Sequence, residues 1–125
     1  MITLAGVSKL YGGRPVVDKV DLEIGEGSFN VFIGPSGCGK STTLRMMNAL
    51  VPADEGTITV NGRDVRDVDP ATLRHGMGYV IQAGGLFPHW NVFDNIAAVP
   101  RLLGWPRAKV DDRVHVLLGL VGLQG

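Results

Sequence analysis

The sequence predicts an α/β fold, in which a glycine-rich loop connects a strand to a helix. Residues 34–41 read Gly-Pro-Ser-Gly-Cys-Gly-Lys-Ser and match the spacing G-x-x-x-x-G-K-[ST]. The apolar run 28–33 leads directly into this loop and is typical of a buried strand. Residues 40–50 are predicted to form the helix, which Pro52 cannot continue. Strand, loop and helix in this order are the context in which the motif binds phosphate.

The loop itself predicts a binding site for a nucleoside triphosphate, as in the P-loop NTPases. Its glycines let the backbone fold closely, so that N–H groups of residues 37–40 point at an anion beside the positive end of the helix dipole. Lys40 is expected to reach the β- and γ-phosphates, and the Ser41 hydroxyl to bind Mg²⁺. The predicted nucleotide-binding residues of the loop are Gly34, Pro35, Ser36, Gly37, Cys38, Gly39, Lys40, Ser41 and Thr42.

The segments around the loop predict a small antiparallel sheet. Residues 2–7 and 16–24 alternate between apolar and polar side chains, and residues 25–27 form a turn towards the phosphate loop. Residues 57–60 and 64–65 flank Asn61-Gly62, the strongest short-range hairpin signal. Residues 77–81 read as a second buried strand, so that 29–33 and 77–81 are the two candidates for a parallel core sheet.

Three helices are predicted after the sheet. Asp69 is an N-cap before Pro70 at the first helical position, and Gly76 ends this short helix. Asn91 and Asp94 have the spacing of a capping box at the start of the next helix. The last helix carries an amphipathic stripe that is expected to be buried against neighbouring helices. The stripe consists of Val110, Val114, Leu117, Leu118 and Val121.

Two side chains near the loop have more than one interpretation. Tyr11 stands beside Gly12-Gly13, and its ring can stack on a purine base or simply pack within the fold. Gln82 follows the predicted strand 77–81, at the sheet edge where α/β folds place ligand-binding groups. It can equally be a solvated loop residue.

Composition limits the function classes. The chain has 125 residues, which suits one domain, and its 12 Lys and Arg balance 12 Asp and Glu, which argues against nucleic acid as a partner. The apolar run 116–123 is far shorter than the about 20 residues of a membrane span. The N-terminal residues do not have the pattern of a signal peptide, and the single cysteine agrees with a reducing cytoplasm.

Taken together and in order, Tyr11, the loop 34–42 and residues 78–89 resemble the ATP-binding subunits of ABC transporters. The resemblance extends over almost the whole chain, and the stretch Leu86-Phe87-Pro88-His89 with residues 99–105 resembles importers of glycine betaine, choline and related quaternary-ammonium osmolytes. It implies that Tyr11 stacks on adenine and that Val16 touches the same ring. It also implies that Gln82 contacts Mg²⁺ and the attacking water. Gln82 and Lys40 are therefore the expected catalytic residues, Gln82 through the water and Lys40 through the phosphates.

The resemblance implies a domain organisation and partners as well. Residues 1–82 correspond to a β subdomain and P-loop core, and residues 83–125 to the start of a helical subdomain. The loop at Gln82 and residues 84–105, from Gly84 to Trp105, are expected to receive a short helix of a transmembrane permease. The full-length subunit is expected to form a head-to-tail dimer and to lie on the cytoplasmic face of the cell membrane, attached through the permease.

Three parts of the family's hydrolytic machinery are not found in the sequence: the LSGGQ-type signature, the Walker B Asp-Glu and the switch histidine. Asp111-Asp112 follows a helical segment, and His75, His89 and His115 precede the place of the switch histidine. The chain is therefore expected to be the N-terminal half of such an ATPase, which binds ATP weakly by itself and does not hydrolyse it. The alternative to a transporter subunit is a truncated nucleotide-binding module without hydrolysis, and the reading frame after Gly125 distinguishes the two.

Overall fold

The computed structural model describes residues 1–124. Residues Met1–Gly78 form one compact unit, and the residues from Tyr79 onward form a second. In chain order the elements are β1 (Ile2–Tyr11), β2 (Arg14–Ile24), α1 (Lys40–Met47), β3 (Glu55–Val60), β4 (Arg63–Asp64), α2 (Pro70–His75), α3 (Val92–Leu102) and α4 (Arg107–Leu120). None of the helices in residues 1–124 is both long and apolar enough to cross a membrane.

The first unit contains an antiparallel sheet in the order β2-β1-β3-β4. Ile2 of β1 pairs with Ile24 of β2 on one side and with Val60 of β3 on the other. The hairpin predicted at Asn61-Gly62 is confirmed, since β3 and β4 pair across it and both turn residues have positive φ. The predicted antiparallel sheet is therefore present, with longer β1 and β2 strands than the apolar pattern indicated.

One face of this sheet forms the core of the first unit together with α1. The sheet contributes four buried side chains, and α1 adds Met46 and Met47 from its last turn. Burial of this apolar surface is the main term that stabilises the unit. The buried residues from the sheet are Leu4, Val7, Val17 and Ile58.

The prediction of two parallel core strands is wrong for the described part of the chain. Residues 29–33 and 77–81 have no strand assignment there. Phe29 is 93% exposed, Ile33 90% and Val80 95%. An apolar run becomes a strand only where its backbone N–H and C=O groups find partners. All pairings of β1 to β4 in residues 1–124 are antiparallel, so the sheet provides no parallel partner for either run.

The helices of the first unit start where the sequence predicts. α1 begins at Lys40 but ends at Met47, three residues before the predicted end, because Ala49 has a positive φ and Leu50 N donates to Arg45 O instead of continuing the helix. The Asp69 side chain caps α2 by accepting from Thr72 N at 3.0 Å. Arg74 of α2 then donates to the carbonyl oxygens of Asn48 and Ala49 at the end of α1, which fixes α2 to that helix.

The second unit is a helical pair. Asn91 caps α3 by accepting from Asp94 N at 2.7 Å, as predicted, but the Asp94 carboxylate pairs with Arg101 at 2.8 Å. Only the Asn91 half of the expected capping box is present. Val110 and Val114 of α4 are buried against Ala97, with Leu118 packed beside them. The predicted stripe is thus buried at its start and half-buried at Leu117, whereas Val121 is exposed.

Candidate functional site

The phosphate loop takes its shape from glycines in the left-handed region. Gly37 has a φ of 79° and Gly39, which directly precedes α1, has a φ of 93°. A Cβ atom at Gly39 would lie 2.6 Å from the Val16 carbonyl oxygen and 3.1 Å from Val17 Cγ2. Only glycine therefore allows the loop to pack this closely on the start of β2. The same contact places the N-terminus of α1 beside the strand that follows Tyr11.

Lys40 lies folded over the loop that it belongs to. Its Nζ donates to the carbonyl oxygens of Gly34 and Pro35, the latter at 2.9 Å, and stands 3.4 Å from Cys38 Sγ. The side chain is half-buried. An ammonium group has three donors, and these two carbonyl oxygens accept from it. The role of Lys40 in phosphate binding stays a prediction.

The first residues of α1 divide between ligand and structural roles. Ser41 is exposed, so its hydroxyl oxygen is available as one of the hard oxygen ligands that Mg²⁺ prefers. Thr43, which the sequence analysis missed, is buried and donates through Oγ1 to Gly39 O at 2.8 Å. A Thr four residues after a loop glycine is the signal that can identify this bond. It fixes the carbonyl group of Gly39, the residue that directly precedes α1.

The donor set fits a magnesium ion that is shared with phosphate oxygens rather than held by protein alone. No cluster of three or more His, Cys, Asp or Glu side chains suited to a metal occurs among residues 1–124. Mg²⁺ commonly keeps several waters and binds through one or two protein ligands plus substrate phosphates. The single exposed hydroxyl of Ser41 next to the loop agrees with that type of site.

Tyr11 is the last residue of β1, and Gly12-Gly13 connect it to β2. Tyr11 pairs with Arg14, the first residue of β2. Its side chain remains 50% exposed, although the strand that carries it is paired on both sides up to Ser8. Val16 is half-buried on the opposite strand and packs on the core of the unit. An exposed aromatic ring is suited to stack on a base.

Asp54 was not identified from the sequence, and it organises the end of β1. Its Oδ2 accepts from Leu10 N at 2.7 Å, and its Oδ1 lies 3.3 Å from Lys9 Nζ. The Leu10 N–H, with a smaller contribution from Lys9, lowers the pKa of the Asp54 carboxyl below its usual value. An acidic residue just before a predicted strand gives no sequence signal for this role, because its partners lie 44 and 45 residues away.

Gln82 belongs to the second unit, whereas the loop, Tyr11 and Val16 belong to the first. Its side chain is exposed, and two glycines with positive φ, Gly84 and Gly85, follow it. Within the first unit, Gly39 of the loop packs on Val16 of β2. The roles of Tyr11, Val16 and the loop residues in nucleotide binding stay predictions. The catalytic and metal-binding roles of Gln82 stay predictions.

The second unit presents an aromatic turn beside an apolar concave surface. Phe87 and Trp90 are half-exposed and stack with ring centroids 4.3 Å apart. Asn95 fixes this turn, because its Oδ1 accepts from Phe87 N and its Nδ2 donates to the carbonyls of Phe87, Trp90 and Asn91. The concave surface encloses a volume of about 600 Å³, and Leu117 of α4 and Val121, which follows α4, also line it.

Comparisons with known proteins agree with this geometry. Residues 17–125 match the family model described as ABC transporter. Over 124 residues the chain is 51% identical to the glycine betaine uptake system ATP-binding protein YehX of Escherichia coli (strain K12), which covers 99% of this chain and 40% of that protein. It is 48% identical over 124 residues to the glycine betaine/carnitine/choline transport ATP-binding protein OpuCA of Bacillus subtilis (strain 168), with 98% of this chain and 33% of that protein covered.

A solved structure shows the same relationship in three dimensions. It is described as the dimeric structure of a post-hydrolysis state of the ATP-binding cassette MJ0796 bound to ADP and Pi, with a TM-score of 0.82 and 28% identity. The match covers 99% of this chain and 58% of that one. This chain spans less than half the length of the two curated relatives. The resemblance drawn from Tyr11, the loop 34–42 and residues 78–89 is confirmed, and the chain belongs to the ABC transporter family.

Proposed function

We propose that this chain is the N-terminal part of the ATP-binding subunit that energises an importer of glycine betaine, choline and related osmolytes. The phosphate loop is the observation that carries the proposal. It combines a left-handed Gly39 packed on Val16, a helix that begins at Lys40 and an exposed Ser41 hydroxyl. The names of YehX and OpuCA support the class of transported molecule.

The loop residues bind the triphosphate in the proposed site. Backbone N–H groups of residues 37–40 and the N-terminus of α1 face the phosphates, and Lys40 moves from the carbonyls of Gly34 and Pro35 to the β- and γ-phosphate oxygens. Ser41 and Gln82 are the proposed ligands of Mg²⁺, which neutralises phosphate charge when bound. Gln82 orients the attacking water during hydrolysis by the full-length protein.

The hairpin of β1 and β2 binds the adenine base. The exposed ring of Tyr11 provides the stacking surface, and Val16 touches the edge of the same base. Gly39 packs directly on the Val16 carbonyl, so the phosphate loop adjoins the hairpin that carries Tyr11. This proximity supports a nucleotide rather than a simple phosphate as the ligand.

The second unit is the proposed contact with the membrane permease. Residues 1–82 serve as the β subdomain and P-loop core, and residues 83–125 begin the helical subdomain. We expect a short amphipathic helix of the permease to bind here. The half-exposed Phe87 and Trp90 and the apolar concave surface, which encloses about 600 Å³, would contact it. We place the subunit on the cytoplasmic face of the membrane, where the full-length protein pairs head-to-tail with a second ATP-binding subunit.

Titration of the chain with Mg-ATP tests the nucleotide site. Lys40→Ala removes a charge-assisted contact to phosphate and is expected to weaken ATP binding about 10- to 150-fold, which corresponds to roughly 1.5–3 kcal/mol. Lys109→Ala is the matched control, because its exposed ammonium lies 4.0 Å from the Trp105 ring centroid in the other unit. Equal affinities of the wild-type and Lys40→Ala chains for ATP would contradict the proposal.

A further inference from the structure

We propose that Lys9 and Asp54 form a positioning pair that holds the Tyr11 ring in place for the adenine base. The proposal rests on the nucleotide-binding function proposed above and assigns a role to two residues outside the phosphate loop. Tyr11 lies at the last position of β1, next to a two-glycine turn, where the backbone alone leaves its side chain free to move. The contacts of Lys9 and Asp54 supply the missing restraint.

Asp54 holds the end of β1 from the segment between α1 and β3. Its backbone N–H donates to Ser8 O at 2.9 Å, and its Oδ2 accepts from Leu10 N at 2.7 Å. β3 pairs with β1 only as far as Ser8, so these two bonds extend the pairing of β1 to the residue just before Tyr11. Loss of the carboxylate would leave the Leu10 N–H without this acceptor.

Lys9 transmits this restraint to the ring. The residue is only 8% exposed, and its Nζ lies 3.3 Å from the Asp54 carboxylate and 5.4 Å from the centroid of the Tyr11 ring. This distance is within the about 6 Å of a cation–π contact. A buried ammonium group needs a partner, and Asp54 provides it. The ammonium lies over one face of the ring, and the half-exposed ring offers its other face to the base.

A pair that fixes the ring before the ligand arrives lowers the entropy cost of stacking. We expect the pair to leave phosphate binding unchanged, because Lys40 and Ser41 belong to another element, α1. A purely structural role would instead disturb the first unit as a whole and with it the phosphate loop. A positioning role therefore predicts weaker binding of ATP alone. A purely structural role predicts weaker binding of both ATP and inorganic tripolyphosphate.

The experiment measures both ligands against Asp54→Asn and Lys9→Met by NMR titration of the 125-residue chain. Asp54→Asn keeps an oxygen for Leu10 N but removes the charge that binds Lys9, and Lys9→Met keeps a long apolar stem in the buried site. Each variant is expected to weaken ATP about three- to tenfold. Tripolyphosphate affinity should stay within about twofold. Circular dichroism checks that each variant is folded, and Lys9→Met provides the test if Asp54→Asn does not fold.

Two further variants test whether Lys9 and Asp54 act through the Tyr11 ring. In a Tyr11→Ala background, Lys9→Met should cause no additional loss of ATP affinity, because the pair acts through the ring. Asp64→Asn is the matched control. Asp64 lies on β4, which pairs with β3 and not with β1, and the substitution breaks its ion pair with Arg66. Asp64→Asn should change the affinity for neither ATP nor tripolyphosphate.

The results separate this inference from the proposed function. The positioning role would be overturned if Lys9→Met weakened ATP and tripolyphosphate equally. It would also be overturned if Lys9→Met weakened ATP by the same factor in the Tyr11→Ala background as in the wild-type chain. In both cases a Lys40-dependent affinity for ATP would leave the nucleotide site intact. If Lys40→Ala has no effect on ATP, the proposed function fails first and the positioning role fails with it.

Discussion

β1 and the segment 28–33 both contain several large apolar side chains, yet only β1 is a strand. β1 pairs with β2 and with β3, and its Leu4 is 2% exposed. The segment 28–33 has no strand assignment, and its Phe29 and Ile33 are almost fully exposed. Apolar composition is therefore not what separates the two segments.

The difference lies in where each segment finds its partners. β2 follows β1 after only two glycines, and β3 and β4 are joined by Asn61-Gly62, so antiparallel pairing closes short loops. A parallel strand needs a crossover of a dozen or more residues before its partner is reached. The β1–β2 and β3–β4 pairings are local, whereas the β1–β3 pairing joins distant residues such as Ile2 and Val60.

Leu4→Ala is expected to have the largest effect on stability. Leu4 is among the largest fully buried side chains of the first unit and packs in the cluster with Met46. Truncation leaves a cavity, and the free energy of unfolding should fall by about 2–5 kcal/mol. Urea denaturation of the chain, followed by circular dichroism, measures the change. A loss below about 1 kcal/mol would mean that the sheet face is less well packed than its burial indicates.

Asn91→Ala probes a locally specified feature of the second unit. The Asn91 side chain caps α3 through Asp94 N, and its removal should destabilise that helix by about 1 kcal/mol. Hydrogen exchange of the amides in α3 measures the change, with amides of β1 as the internal reference. The control Asn91→Ser keeps a capping oxygen and should restore most of the stability. Equal protection in α3 of Asn91→Ala and the wild-type chain would contradict the capping role.

The sequence predicted features whose causes are close together in the chain. The Asn61-Gly62 turn, the Asp69 and Asn91 caps and the start of α1 at Lys40 all depend on residues within about one turn of each other, and all are confirmed. The two parallel strands were predicted from apolar runs alone, and a run does not specify its partner. Asp54 was missed for the same reason, because its contacts to Lys9 and Leu10 depend on tertiary structure.

The candidate site divides in the same way. The loop 34–42 was predicted from spacing, because glycine, lysine and serine positions follow directly from how a backbone surrounds a phosphate. The resting position of Lys40 was not predictable, since it depends on which carbonyls the folded loop presents to the ammonium group. The roles of Tyr11 and Gln82 required the family resemblance, because single aromatic and amide residues are common outside binding sites.

Phe29→Ala is expected to have the smallest effect, and it tests the contrast with β1 directly. A buried Phe costs about 3–5 kcal/mol when truncated, whereas an exposed one away from special features changes stability by about 0.5 kcal/mol or less. Phe29 is 93% exposed, so urea denaturation of Phe29→Ala should give nearly the wild-type free energy of unfolding. The same experiment on Leu4→Ala provides the buried reference. A loss above about 1 kcal/mol in Phe29→Ala would show that Phe29 is buried in the folded chain, because only buried apolar area carries such a cost.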